Sequence, residues 1–179
     1  PDVLTIGFAR RAATYKRADL VFSDIRRLVE IGKGKVQFVF SGKAHPHDEP
    51  RKDILQKINR IAKELGAELP VVFIENYNMG PAKFITSGVD IWLNTPIRPR
   101  EASGTSGMKC VHNGVMNFSV LDGWWIEGCI EGRTGWAIGP EPTENGMVEY
   151  NEAEDAVDLY NKLEEKIIPA YYTDRKRWI

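Results

Sequence analysis

Two short segments of the chain carry the residues best suited to bind an anion. Residues 100–109 read Arg-Glu-Ala-Ser-Gly-Thr-Ser-Gly-Met-Lys, and they lie at the start of a predicted helix. Small residues there leave backbone N–H groups open to a phosphate, and Lys109 follows about one turn into the helix. Residues 10–17 read Arg-Arg-Ala-Ala-Thr-Tyr-Lys-Arg. Four cations within this segment suit an oxyanion or a phosphate.

Each segment also has a simpler interpretation. A serine-capped helix start with an exposed lysine accounts for residues 100–109, and a solvated basic face accounts for residues 10–17. A binding site is favoured because both segments follow strands, so that they would meet at one edge of a parallel sheet. Two anion-binding loops at one edge predict a site for more than one phosphate.

Other strand ends carry weaker signals. Residues 75–78 offer side chains that could hydrogen-bond a sugar or a cofactor ring, although a polar turn explains them equally well. Residues 41–46 form a glycine turn with a lysine, which is similarly ambiguous. His45 and His47 lie near two acidic residues but make a poor metal-ligand set, so we expect no metal site.

The elements that position these segments alternate along the chain. Apolar runs rich in β-branched and aromatic residues predict strands at residues 3–8, 36–40, 71–74, 89–93 and 117–121. Helical periodicity predicts helices at residues 16–31, 51–65, 80–87, 106–115 and 153–167, the last ending before Pro169. Nearly unbroken apolar strands that alternate with helices are typical of a parallel sheet covered on both faces. The predicted fold is therefore a doubly wound α/β domain.

Composition limits the class of protein. The 179 residues fit one domain, and 42% apolar residues exclude a disordered chain. The 24 Lys and Arg against 25 Asp and Glu argue against a nucleic-acid binder. Two cysteines favour a reducing, cytoplasmic compartment, and no apolar run reaches the ~18–20 residues of a membrane helix. Because a strand follows Pro1 almost at once, we expect the chain to be the carboxyl-terminal part of a longer protein.

Taken together, the motifs resemble the α-glucan phosphorylases, the family of glycogen, starch and maltodextrin phosphorylases. The resemblance extends from about residue 6 to residue 122 and rests on motifs that occur in the same order. They are Arg11 followed by Tyr15-Lys16, GKA.P at 42–46, ENY at 75–77, EASGT..MK at 101–109, NG at 113–114 and LDG at 121–123. The long EASGT..MK string is the most specific of them. Trp124-Trp125 after the last motif is similar to a shorter, prokaryotic branch of the family.

The resemblance implies a fold and a reaction. The fold is the glycosyltransferase-B architecture, in which two Rossmann-like domains face each other across a cleft. Residues 1–179 would form the second domain, with the N-terminal domain absent and the isolated chain inactive. The reaction is the phosphorolysis of an α-1,4-glucan to glucose 1-phosphate with retention of configuration. The implied partners are the glucan, inorganic phosphate or glucose 1-phosphate, the family's N-terminal domain and, as an open option, a second copy of the chain.

The resemblance also implies a cofactor and a role for each matched residue. The family carries pyridoxal 5′-phosphate (PLP) as a Schiff base on the lysine that corresponds to Lys109, and the cofactor's phosphate exchanges a proton with the substrate phosphate. The implied catalytic residues are Arg11, Lys16 and Lys109. The implied cofactor contacts are Lys109, Arg10, Tyr77, Gly104 and Thr105. The implied substrate contacts are Glu101, Ser103, Gly104, Arg11 and Lys16.

Two other functions stay open at the level of sequence. A retaining nucleotide-sugar glycosyltransferase, such as glycogen synthase, shares the architecture and an acidic residue that Glu101 could represent. That enzyme does not need a lysine at Lys109. A non-catalytic module that binds glucan or phosphate is the third alternative, and the joint presence of Lys109, Arg11, Lys16 and Glu101 argues against it. Binding of a nucleotide diphosphate sugar or of PLP distinguishes these functions.

Overall fold

A single parallel sheet organises the chain in the computed structural model, which describes residues 3–11, 13–44, 47–143 and 150–178. Its six strands have the spatial order β3-β2-β1-β4-β5-β6. They are β1 Leu4–Arg11, β2 Val36–Lys43, β3 Val71–Ile74, β4 Ile91–Asn94, β5 Met116–Val120 and β6 Gly135–Ile138. This order is the Rossmann-like one, and it confirms the predicted doubly wound α/β fold.

Helices and short turns connect the strands. The helices are α1 Ile25–Gly32, α2 Glu49–Leu65, α3 Met79–Gly88, α4 Thr105–Val111, α5 Trp125–Gly128, α6 Glu152–Lys162, α7 Ile168–Thr173 and α8 Arg175–Trp178. Two 3₁₀ turns, Thr14–Lys16 and Leu20–Phe22, precede α1, and a π-helical turn, Leu163–Ile167, joins α6 to α7. Within the described ranges, no helix is long and apolar enough to cross a membrane.

Buried aromatic side chains pack on β1, a central strand of the sheet. Phe8 of β1 stacks on Phe40 of β2 with ring centroids 5.7 Å apart, and Phe22 packs against Phe40 at 5.4 Å. All three rings are buried, together with Leu4 and Ile6. Because every buried aromatic side chain removes a large apolar area from water, this cluster fixes β1 and the residues that follow it.

The predicted helix at residues 16–31 is wrong over its first half. The structure has two 3₁₀ turns there, and only Ile25–Gly32 is α-helical. Arg17 adopts a left-handed backbone with φ 42°, which ends the first turn. Asp24 then caps α1, because its side chain accepts a hydrogen bond from the Arg27 backbone N–H at 3.0 Å.

Other element boundaries differ in informative ways. The predicted helix at residues 106–115 already ends at Val111. The last predicted helix does not stop before Pro169, because Pro169 lies in the first turn of α7, where a helix needs no backbone N–H from it. Strand β6 was not predicted, and it pairs with β5 in parallel.

The topology fixes where a ligand can enter. Strand β1 pairs with β2 on one side and with β4 on the other. From β1 the chain proceeds outward to β3, and from β4 it proceeds outward to β6, so the connections after β1 and β4 diverge. The crevice beyond the carboxyl ends of two such strands is the usual ligand site of an open α/β sheet.

Candidate functional site

A cavity of about 510 Å³ lies at the carboxyl ends of β1 and β4. Its wall contains every residue to which the sequence assigned a role: Arg10, Arg11, Lys16, Tyr77, Glu101, Ser103, Gly104, Thr105 and Lys109. Ala9, Tyr15, Arg100, Ala102 and Ser106 complete the wall. The two segments predicted to bind anions therefore meet at one edge of the sheet. The role of each residue stays a prediction.

Glu101 pairs with two of the cations in this cavity. Its Oε2 atom lies 2.7 Å from Nη2 of Arg10 and 3.2 Å from Nζ of Lys16. Arg10 and Glu101 are buried, with exposed fractions of 6% and 7%. Charge-assisted contacts of this kind hold both cations in place.

The five cations of the wall outnumber its acids. The cations are Arg10, Arg11, Lys16, Arg100 and Lys109, and Glu101 is the one carboxylate among the described wall residues. Arg11 and Lys109 are exposed. An excess of positive charge in a concave site attracts anions, so the cavity is suited to phosphate groups.

Two supporting residues were not singled out from the sequence. The side-chain oxygen of Asn94 accepts a hydrogen bond from Arg10, and its amide donates to Ser119 Oγ at 3.2 Å. Asp122 accepts a hydrogen bond from the Glu101 backbone N–H at 2.9 Å. Asn94 is the last residue of β4, and Asp122 lies two residues after the end of the neighbouring strand β5. Asp122 also belongs to the LDG motif, which could have indicated its position.

The glycine-containing loop before α4 rests on Trp124. Gly104 has a left-handed backbone with φ 87°, and a Cβ atom there would lie 3.2 Å from the Trp124 ring. At Gly107 a Cβ atom would come within 2.5 Å of the Asn117 side-chain oxygen. The Trp124 backbone N–H also donates to the Ser103 carbonyl oxygen at 2.9 Å. Side chains at Gly104 and Gly107 would therefore displace the loop that carries Ser103.

Three groups on the cavity wall could contact a bound cofactor. The Lys109 side chain is exposed. The Ser106 hydroxyl oxygen is buried and has no hydrogen-bond partner in the described part of the chain. Burial raises the pKa of the Tyr77 phenol, and the positive charge of Arg10 acts in the opposite direction. Tyr77 therefore remains a hydrogen-bond donor at neutral pH.

The remaining residues singled out from the sequence have other roles or lie elsewhere. Asn78 caps α3 by accepting a hydrogen bond from the Gly80 backbone N–H at 2.8 Å. Burial raises the pKa of Cys110 to about 12 and that of Cys129 to about 11, so both thiols stay protonated. His45 lies outside the described residues. Among those that are described, no group of three or more His, Cys, Asp or Glu side chains could hold a metal ion.

Known proteins resemble this chain in sequence and in fold. Residues 9–165 match the model of the carbohydrate phosphorylase family. The maltodextrin phosphorylase of Thermococcus litoralis is 49% identical over 99% of this chain, which spans 22% of that protein. The glycogen phosphorylase of Aquifex aeolicus is 47% identical over 99% of this chain, which spans 25% of it. A solved structure of Anabaena Alr3699/HepE in complex with UDP and glucose has a TM-score of 0.64 at 17% identity and covers 94% of this chain, which spans 41% of that one. This last likeness concerns the fold alone.

Proposed function

This chain belongs to the carbohydrate phosphorylase family, and from that membership we propose that it forms the domain of an α-glucan phosphorylase that binds phosphate and PLP. The observation that carries the proposal is one cavity whose wall holds Glu101 and five cations, Lys109 among them. The reaction proposed for the whole protein is the phosphorolysis of an α-1,4-glucan to glucose 1-phosphate with retention. Its proposed compartment is the cytoplasm. Because the chain spans about a quarter or less of these relatives, we expect it to be inactive alone.

The described residues fit a bound PLP. Lys109 would attach it, Tyr77 would lie against it, and Arg10, Gly104 and Thr105 would contact it. The buried Ser106 hydroxyl has no hydrogen-bond partner in the described ranges, so it can donate to a phosphate oxygen. When bound, the cofactor supplies a phosphate group that exchanges a proton with the substrate phosphate.

Arg11 and Lys16 bind the substrate phosphate. A second phosphate in the same cavity is repelled by about 4 kcal/mol for each pair of unit charges 4 Å apart at an effective dielectric constant of 20. Cations from two loops must offset this repulsion. Arg11 is exposed at the wall, and Lys16 is held by Glu101, so the two can contact an incoming anion without a change of fold.

Glu101, Ser103 and Thr105 bind the sugar. Both cation contacts of Glu101 use Oε2, and we assign Oε1 to a sugar hydroxyl. Ser103 and Thr105 line the same wall and donate hydrogen bonds to sugar hydroxyls or to phosphate. The protein thus supplies position and electric field to the reaction.

The experiment is reduction by borohydride in the presence of PLP, followed by peptide mapping. We expect a stable adduct on Lys109 in the wild-type chain and none at that position in Lys109→Arg, which keeps the charge. Lys83→Arg, an exposed lysine of α3 outside the cavity, is the matched control and should retain the adduct.

An equal yield of adduct on other lysines would contradict the proposal. If the chain yields no adduct, the same test on the protein that includes the N-terminal domain decides. Failure there, together with binding of a nucleotide diphosphate sugar, would favour the glycosyltransferase.

A further inference from the structure

We propose that Asp155, a buried residue of α6 outside the cavity, is a positioning residue that fixes Lys16 and Glu101 through two arginines. This inference rests on the proposed function, because it concerns the two side chains assigned there to phosphate and sugar. Asp155 is fully buried. It lies more than fifty residues from either arginine along the chain.

The loops after β1 and β4 form one hydrogen-bonded unit. The Ile97 backbone N–H donates to the Tyr15 carbonyl oxygen at 2.7 Å. Oγ1 of Thr95 lies 2.9 Å from the Lys16 carbonyl oxygen. Nε of Arg17 donates to the Thr95 carbonyl oxygen at 2.9 Å. A shift of either loop therefore moves the backbone of Lys16.

Asp155 ties this unit to α6 with one oxygen for each arginine. Its Oδ2 atom lies 2.6 Å from Nη2 of Arg17, and its Oδ1 atom lies 3.0 Å from Nη2 of Arg98. Arg98 in turn donates to the Pro140 carbonyl oxygen at 2.7 Å. Arg17 directly follows Lys16, and Arg98 precedes Glu101 by three residues. A single carboxylate thus holds both loops that supply the cavity.

The two loops depend on the negative charge of Asp155 because both arginines that it pairs with are buried. Arg17 and Arg98 are exposed by only 4% and 5%. In the part of the chain that the structure describes, Asp155 is the one carboxylate paired with either of them. Buried cations that lose their anion are strongly destabilised, so the loops must move to rehydrate them. Arg17 also has a left-handed backbone, which persists only where its surroundings enforce it.

Hydrogen exchange and phosphate binding test the inference in the chain itself. In Asp155→Asn we expect the Ile97 amide to exchange at least about tenfold faster, while the Phe38 amide in β2 keeps its rate. Inorganic phosphate should bind to Asp155→Asn about tenfold more weakly than to the wild-type chain. In a chain that already carries Lys16→Met, adding Asp155→Asn should weaken phosphate binding by much less than tenfold, as expected for residues of one network. Asp158→Asn is the matched control, because it removes a carboxylate of the same helix that contacts the Gly139 backbone and Lys162.

The outcomes separate the two claims. Equal acceleration at Ile97 and Phe38, or fully additive losses in the double variant, would show a merely structural role and overturn the inference. If Asp155→Asn does not fold, Arg98→Met leaves Asp155 and Arg17 paired one to one, and it must show smaller changes in the same direction. If the wild-type chain binds no phosphate, the exchange rates alone decide whether Asp155 holds the loops, and phosphate binding by the protein that includes the N-terminal domain decides whether the proposed function fails.

Discussion

Replacing Glu101 with glutamine should have opposite effects on the two ligands of the cavity. The substitution keeps the shape of the side chain and removes one negative charge. In the structure that charge lies 2.7 Å from Arg10 and 3.2 Å from Lys16, so it neutralises cations that an anionic ligand also needs. We expect Glu101→Gln to bind inorganic phosphate more tightly and glucose more weakly.

The size of the gain follows from the geometry. A phosphate that contacts the same cations would lie about 5 Å from the carboxylate, where each pair of unit charges repels by about 3 kcal/mol at an effective dielectric constant of 20. Solvent and salt in an open cavity reduce this to about 1–2 kcal/mol. The dissociation constant for phosphate should therefore fall about five- to thirtyfold.

The same substitution should also cost stability. Arg10 is only 6% exposed, and the substitution replaces its carboxylate partner with a neutral amide, while the hydrogen bond to Asn94 persists. Exchange of an ionised acceptor for a neutral one weakens the hydrogen bond from Arg10, which lowers the free energy of unfolding by about 1–2 kcal/mol. Urea denaturation measures this change.

Titration calorimetry with phosphate and with glucose is the assay, at two salt concentrations. Asp158→Asn makes the same change in net charge away from the cavity, and it should leave phosphate binding nearly unchanged. Lys16→Met should weaken phosphate binding. Phosphate affinity that is unchanged or lower in Glu101→Gln would refute the electrostatic reasoning.

Two further predictions concern stability. Gly107→Ala should lower the free energy of unfolding by about 1–3 kcal/mol, because its Cβ atom would lie 2.5 Å from the Asn117 side-chain oxygen. Gly88→Ala meets nothing within 4 Å and should change stability by less than about 0.5 kcal/mol; equal denaturation midpoints for the two variants would contradict the packing argument. Burial raises the pKa of Cys110 from 9.0 to about 12. Between pH 9 and pH 12 the thiol therefore ionises in the unfolded chain but stays protonated in the folded one. Stability should therefore fall as pH rises above about 9, by up to about 1.4 kcal/mol per pH unit, and Cys110→Ala should reduce that slope in denaturation measured between pH 8 and pH 11.

The strands were predictable where the side chains themselves favour a strand. Val71–Ile74 has the predicted boundaries, because its four consecutive apolar residues lie between Pro70 and Glu75. Gly135–Ile138 was missed, since its glycine and alanine carry little strand preference. Its strand structure comes from pairing with β5, which a local pattern does not reveal.

The first predicted helix failed for a related reason. Apolar residues do recur at helical spacing after residue 16, but the Arg17 backbone is left-handed. The partners that hold it there, Asp155 and the Thr95 carbonyl oxygen, lie far away in the sequence. Helical periodicity reports only on local contacts, so it could not indicate a conformation that distant residues enforce.

Residues that line the cavity were easier to predict from the sequence than those that support them. All nine site residues line one cavity because their segments follow adjacent strands. The supporting roles of Asn94 and Asp122 were not predicted, since a polar residue near a strand end is compatible with many roles. Only the contacts with Arg10 and the Glu101 backbone reveal what these two side chains do.

The balance of charge explains how a chain with a formal net charge of −1 can hold a positively charged cavity. Residues 10–17 contain four cations, but only Arg10, Arg11 and Lys16 line the cavity. The left-handed turn at Arg17 directs the fourth into the interior, where Asp155 neutralises it. Arg17 at the wall would be a sixth cation there, and it would add repulsion among like charges that Glu101 alone could not offset. The basic segment therefore supplies three cations to a cavity whose wall holds Glu101, and the other acidic residues that the structure describes lie outside that wall.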